Sequence, residues 1–219
     1  MNLIGNNCLA SRIYKINNIQ FNNPFIWCSI KFSDFIEIIK NFNNINFNNI
    51  EVKFNECKRT NNLSPVIRCD NLFDVHYIHY IEDEKCITPI HKPSKGQVDL
   101  FYYDILSYAK NKWFERLNRM SEKPIFIYSF NYRYKTLESY NNASEQDIQT
   151  YKNQVKQLYD ISKEFNQKIY VIIHKNIVYD EYKDLQNKNF ILITPPHTFM
   201  CEDKENFWNY VNKYIIECK

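Results

Sequence analysis

The order of apolar runs in this chain predicts an α/β fold: a single domain with a largely parallel sheet flanked by helices, layered in the Rossmann manner. Three observations carry that expectation. Residues 124–130 (PIFIYSF), 169–174 and 190–194 are continuous apolar runs, the pattern of strands buried on both faces. Between the first two lies a helical stripe of Ile148, Tyr151, Val155, Leu158 and Phe165. A second stripe, Phe207, Val211, Tyr214 and Ile215, follows the last run. Strands alternating with helices build parallel sheets. In 219 residues there is no internal repeat and no credible linker, so one domain over residues 1–219 is expected.

The elements follow in order. Leu3-Ile4 is a short apolar run ended by Gly5-Asn6-Asn7, and a short helix is expected over residues 8–15. Asn17-Asn18 and Asn22-Asn23-Pro24 mark a loop, since Asn tolerates left-handed turn geometry better than most residues. Ser33-Asp34 reads as a cap and acidic first turn, opening a helix with Phe35, Ile38, Ile39 and Phe42 on its apolar stripe. Residues 50–54 alternate as a strand, 61–65 read as loop, and 73–80 (FDVHYIHY) alternate again and are rich in β-formers. After a Pro- and Lys-containing loop over 88–95, a long helix is expected over 98–120. Ile105, Ala109, Trp113, Leu117 and Met120 fall on one side of it. Ser144 with Asp147 resembles a capping box at the head of the next helix.

Composition narrows the function classes. Hydrophobic residues make up 44 % and aromatics 16 %, so the chain has the material for a core. A net charge of +3 is too small to argue for nucleic acid or a polyanionic surface as partner. No apolar run approaches the roughly 18 residues of a membrane span, and the first residues lack the pattern of a signal peptide. A soluble, cytoplasmic protein without integral membrane contact is the expectation. The seven cysteines are odd in number and irregular in spacing, with no CxxC pair, so reduced thiols are expected rather than a disulfide framework or zinc ribbon. Walker, GxGxxG, GxSxG and HExxH motifs do not occur, and no cofactor is expected. His76, His79, Cys86 and His91 do not have the spacing of a zinc site on a strand.

The stretch with most chemistry in it is the first. Cys8 falls at the expected first turn of a helix, where backbone N–H groups and the helix dipole stabilise a thiolate. Asn7 or those same N–H groups could receive an oxyanion. One of only two glycines, Gly5, stands at the turn, and Asn6 and Arg12 complete a cradle that would equally suit a phosphate. Against this stands the reading of Cys8 as a buried core thiol. A nucleophilic Cys8 needs a histidine. His76 and His79 lie on opposite faces if residues 73–80 form a regular strand. On that strand His76 shares its face with Asp74 and Ile78. His174 ends a buried strand, the end at which ligands gather in parallel sheets. In Trp113-x-x-Arg116-x-x-Arg119 the helical spacing sends Trp113 and Leu117 to the core, with the arginines toward solvent or an acidic partner.

Several of these pieces recur together. Asn7-Cys8, then Phe21-Asn22-Asn23-Pro24-Phe25, then Asp34-Phe35, then residues 75–80, then Trp113-x-x-Arg116-x-x-Arg119 resemble an uncharacterised bacterial family associated with exopolysaccharide biosynthesis. Asn7-Cys8 and Pro24-Phe25-x-Trp27 are also similar to a family of papain-like cysteine peptidases, although Ile26 stands where that family carries an acid. The resemblance implies a Cys–His site made of Cys8 and His79, with His79-Tyr80 matching the family's His-Tyr pair. It also implies a carbohydrate or activated-sugar substrate. Three functions stay open on sequence alone. The first is a cysteine-dependent acyl hydrolase or acyltransferase in surface-polysaccharide biosynthesis, using Cys8, His79 and Asn7. The second is a non-covalent sugar or phosphate transferase holding its substrate with Gly5, Asn6, Arg12, His76 and His174. The third is a non-catalytic partner in polysaccharide assembly. Oligomeric state, substrate and third triad member are likewise open: Asp74 neighbours the histidines but faces away from His79 on a regular strand, and the resemblance offers Asp34 as the other candidate.

Overall fold

The computed structural model describes residues 2–7, 9–26, 28–57, 62–77, 80–82, 85–87, 90–91, 98–120, 123–130, 142–173, 180–195 and 204–217. Eleven strands, five α-helices and a 3-10 helix (Lys183–Leu185) have defined bounds among them. In chain order they are β1 (Leu3–Gly5), α1 (Leu9–Ile16), β2 (Cys28–Ser29), α2 (Phe32–Asn41), β3 (Ile50–Cys57), β4 (Asn62–Cys69), β5 (Phe73–Tyr77) and β6 (Tyr80–Glu82). Then come β7 (Lys85–Ile87), β8 (Ile90–His91), α3 (Val98–Leu117), β9 (Ile125–Ser129), α4 (Glu145–Glu164), β10 (Ile169–Ile172), β11 (Phe190–Ile193) and α5 (Lys204–Glu217). The chain groups into two compact units, one of residues 2–11 and 20–123, the other of residues 12–19 and 124–219.

The second of these units holds the strands the apolar runs predicted. β10 runs parallel to β9 on one side and to β11 on the other, Ile169 aligning with Phe126 and with Phe190. Within this unit the three strands are neighbours in the order β9-β10-β11. All four residues of β10 are buried, as a central strand covered on both faces requires. α4 starts where its sequence said: Ser144 Oγ accepts from the Asp147 N–H at 3.1 Å, and Asp147 reaches back to the Ser144 N–H. Its buried stripe is Tyr151, Val155, Leu158 and Ile161, and Tyr151 stacks on Phe130 at 4.3 Å between centroids. On α5, Phe207, Val211 and Ile215 are buried, whereas Tyr214, expected on the same stripe, is exposed and meets Tyr210 instead. The α/β class with a largely parallel sheet and flanking helices is therefore the fold observed.

The other unit contains a second, antiparallel sheet of order β2-β5-β4-β3, with β8 also pairing β4. Val75 and Ile67 are opposite each other and fully buried, as are Phe73 and Cys69, so one face of the sheet is apolar. The other face carries Ser29, His76, Asp74, Arg68 and Lys53. Phe25 ties the apolar side together, lying 6.1 Å from Phe73 and edge-on to Trp113 of α3 at 5.6 Å. Trp113 is fully buried and donates its indole N–H to Phe47 O at 2.9 Å.

Two local expectations are corrected here. Residues 62–65, read as loop because of Pro65, belong to β4, where Pro65 pairs with Phe54. The proline is tolerated because β5 pairs β4 only from Val66 onward and β8 only at Asn62 and Leu63, so its missing N–H falls in the gap between them. The helix read as starting at Ser33 starts at Phe32 after Lys31, which makes no side-chain cap, while Asp34 keeps its first-turn place. No helix among the described residues is long and apolar enough to cross a membrane.

Candidate functional site

The turn between β1 and α1 is built from inside the unit outward. Asn6 and Asn7 are nine-tenths buried, and Ser11 on the first turn of α1 is fully buried. Each polar side-chain donor or acceptor left unmet at such depth costs about 1–3 kcal/mol. At Gly5 a Cβ would lie 3.3 Å from both Ala10 N and Asn7 O, so the glycine serves close backbone approach. Asn6 O accepts the Ile30 N–H at 2.9 Å, fastening the turn to the residue that follows β2.

A second layer fastens the strand leading into the turn. Asn23 is fully buried; its amide donates to Leu3 O at 2.9 Å and its oxygen accepts the Phe25 N–H at 3.0 Å. The loop holding Asn23 is clamped from α3. Arg116 donates to Ile26 O at 3.1 Å and lies over the Phe21 ring, while Arg119 donates to Phe21 O at 3.3 Å and pairs with Glu115. Arg116 is a correction to the solvent-facing reading: it is 8 % exposed and has no carboxylate partner among the described residues. The signal was present in the sequence. Trp113 and Arg116 are three apart and therefore share a helical face. Two of the short motifs singled out from the sequence, residues 21–25 and the Trp113–Arg119 set, thus form one clamp around the N-terminal turn.

Beside this turn the second sheet gathers titratable groups. Ser29 lies directly opposite His76, so both point to one face of the sheet. Asp74 shares that face two residues earlier and lies opposite Arg68, its Oδ1 3.8 Å from Arg68 Nη1. Asp34 arrives from the first turn of α2 and takes a hydrogen bond from the Asp74 backbone. Burial, and after it the Asp74 carboxylate, push Asp34 above the usual carboxyl range, against the pull of Lys31, the Asp74 backbone and His76. His76 is held below the ordinary imidazole value, first by burial and then by Lys31; Asp74 and Asp34 pull it upward, and Lys53 lowers it. Its Nε2 is sealed from solvent without a hydrogen-bond partner among the described residues. A half-buried imidazole in this state is neutral near pH 7 and competent to accept a proton.

Of the residues marked from the sequence, the structure places Gly5, Asn6 and Asn7 in one buried turn and His76 on the strand beyond β2. Arg12 is half-buried on α1 and makes no hydrogen bond or ion pair among the described residues. Cys8, His79 and His174 lie outside the described residues. The Asp34–His76 grouping went unread in the sequence, although Asp74 and His76, two apart on a strand, were recognised as sharing a face. Lys31 and Asp34 join them only through the fold. Among the described residues no group of three or more His, Cys, Asp or Glu side chains is disposed to hold a metal ion.

A comparison with curated proteins finds no match. The sequence model of one family covers the turn, the clamp, the antiparallel sheet and most of the parallel strands, matching residues 1–191. With seven-eighths of its length so matched, the chain belongs to the family described as a domain of unknown function, DUF1919.

Proposed function

We propose that this chain is a cysteine-dependent acyl hydrolase or acyltransferase with Cys8 as its nucleophile. What supports the reading most is the turn before α1. A strand ends, a glycine permits close backbone approach, two buried asparagines follow, and α1 begins at Leu9. Backbone N–H groups at such a helix start stabilise a thiolate and, later, the oxyanion of a tetrahedral intermediate. Attack forms an S–acyl bond and expels an amine, alcohol or thiol, which leaves with the proton first removed from Cys8. Water or an acceptor hydroxyl then takes the acyl group and returns a proton to the sulfur. The resemblance seen in the sequence extends the proposal to an acylated carbohydrate or activated sugar from surface-polysaccharide assembly.

The test is the pH dependence of alkylation at Cys8, read by mass spectrometry with buried Cys28 and Cys69 as internal controls. Rapid reaction with an apparent pKa of about 7 or below is the expected result. A Cys8 that reacts only after denaturant is added would sink the proposal.

A further inference from the structure

We infer that β3 is the seat of a two-fold contact with a second copy of this chain, its outer edge pairing antiparallel with itself about Val52. The backbone sets which residues can meet there. The Asp70 N–H donates to Asn49 O at 2.8 Å, continuing the register of β3 with β4 by one residue. The ladder to β4 therefore uses Asn49, Glu51 and Lys53, and the N–H and C=O of Ile50 and Val52 turn the other way. Pro65 agrees, for it lies opposite Phe54, where β3 needs no N–H from β4. Among the described residues no strand pairs with that outer edge, and no hydrogen bond reaches the Val52 backbone there. Other outer edges are closed by the chain itself. Beside β2 the Ile30 N–H is spent on Asn6 O. On β11, Asn187 donates to Phe190 O and accepts the Phe190 N–H, each at 3.0 Å, and Gln186 Oε1 accepts the Leu192 N–H at 3.2 Å. A bare edge on a strand of eight residues is a template for another strand.

The occupant that fits this edge is the same edge of another copy. Ile50 and Val52 lie opposite buried Cys69 and Ile67, so they belong to the apolar side of the sheet, yet both are only half-buried. Glu51 and Lys53 stand on the opposite side, Glu51 exposed and Lys53 half-buried. Neither has an ion pair among the described residues; Arg68, across from Glu51, pairs with Asp74 instead. With Val52 set opposite Val52, a second antiparallel copy brings Glu51 against Lys53 twice and Ile50 against Phe54 twice. The two Val52 residues exchange a pair of backbone hydrogen bonds. The charged pairs fall at the non-hydrogen-bonded positions, where facing side chains stand closest. The neighbouring two-fold registers lack this match: an axis at Glu51 sets Glu51 against Glu51, and one at Lys53 sets Lys53 against Lys53. A lysine alone on an edge keeps partners away, whereas an acid two residues off on the same side turns that guard into a complement. The joined copies form one continuous antiparallel sheet with their apolar sides on a common face.

The test is sedimentation equilibrium of the full chain over a concentration series, with the fold of each variant checked by thermal melting. Wild type should pass from monomer toward dimer mass as concentration rises. Glu51→Lys and Lys53→Glu should each raise the dissociation constant by roughly 5- to 50-fold, since two opposite-charge pairs become two like-charge pairs. Mixed in equal amounts, these two variants should recover the dimer, because each supplies the charges the other lacks. The double variant, Glu51→Lys with Lys53→Glu, should dimerise by itself. Val52→Pro removes an outward N–H while sparing the bonds to β4, and should abolish the dimer; if it does not fold, the charge variants decide. A wild type that stays monomeric up to about 0.5 mM, where even weak contacts are populated, would overturn the inference. So would a dimer whose dissociation constant is unmoved by either charge reversal, or a mixture that recovers nothing.

Discussion

Replacing Asn23 by alanine removes one side chain that serves two buried backbone groups. In the folded chain its amide meets Leu3 O at 2.9 Å and its oxygen meets the Phe25 N–H at 3.0 Å, and all three residues are fully buried. Alanine leaves a donor and an acceptor unmet with no route to water, at about 1–3 kcal/mol each. The pair share one residue and are not strictly additive, so the expected loss is about 2–5 kcal/mol. At roughly 2–4 °C per kcal/mol for a chain of this size, the melting temperature should fall by roughly 5–15 °C. Asn23→Asp is the informative companion: it keeps the acceptor for Phe25 but loses the donor to Leu3 and buries a charge, and should be no more stable than alanine. Urea unfolding followed by tryptophan fluorescence reads both, since Trp113 packs on Phe25. A loss below about 0.5 kcal/mol for Asn23→Ala would refute the claim that Asn23 fastens β1 to the loop, because surface substitutions alone reach that size.

Three further outcomes are expected. Gly5→Ala should destabilise by no more than about 1 kcal/mol, since its methyl meets Ala10 N and Asn7 O at 3.3 Å, a few tenths of an ångström too close, while the unfolded chain loses entropy that offsets part of the cost; a loss above about 2 kcal/mol in urea unfolding would contradict this balance. Cys69, whose thiol burial pushes up to about 12 with Asp70 adding to the effect, should stay unalkylated at pH 8 in the native chain and react once urea unfolds it. Because His76 titrates below 6.5 when folded, the unfolded chain binds more protons between the folded value and 6.5. Stability should therefore decline as pH falls through that window. His76→Asn should flatten that limb of a stability–pH curve, and a limb of equal slope in the variant would show that another group causes it.

The parallel strands and α4 were legible because their sequences state one thing at every level. Ile169 to Ile172 is apolar without interruption, and Ser144 with Asp147 completes both halves of its capping box. The antiparallel sheet was only half legible. Residues 50–54 and 73–77 alternate cleanly, but Pro65 disguised β4, and β2 has only two residues, too few to carry a period. The site split the same way. Gly5, Asn6 and Asn7 could be picked out because a glycine is rare here and a helix follows directly. The joining of Asp34 to His76 depends on β2 bringing α2 alongside β5, a relation between segments some 40 positions apart that no local pattern encodes. Arg116 was misread because charge was given more weight than its helical spacing from Trp113.

The brevity of β2 has a consequence for the order in which the molecule assembles. One of its edges closes on a turn 24 positions earlier and the other on a strand 47 positions later. A one-residue slip there would exchange the two faces, turning the buried Cys28 thiol toward His76 and sending Ser29 into the apolar side. Nothing inside two residues guards against that slip, so the guard is the long-range pairing of β5 with β4, itself anchored by Phe73 against Cys69. On the ribosome, the residues up to 30 emerge before the strand that fixes their register has been made. The turn that Ile30 fastens is therefore made before the strand that fixes the register of β2, and that register is set only once β5 has paired.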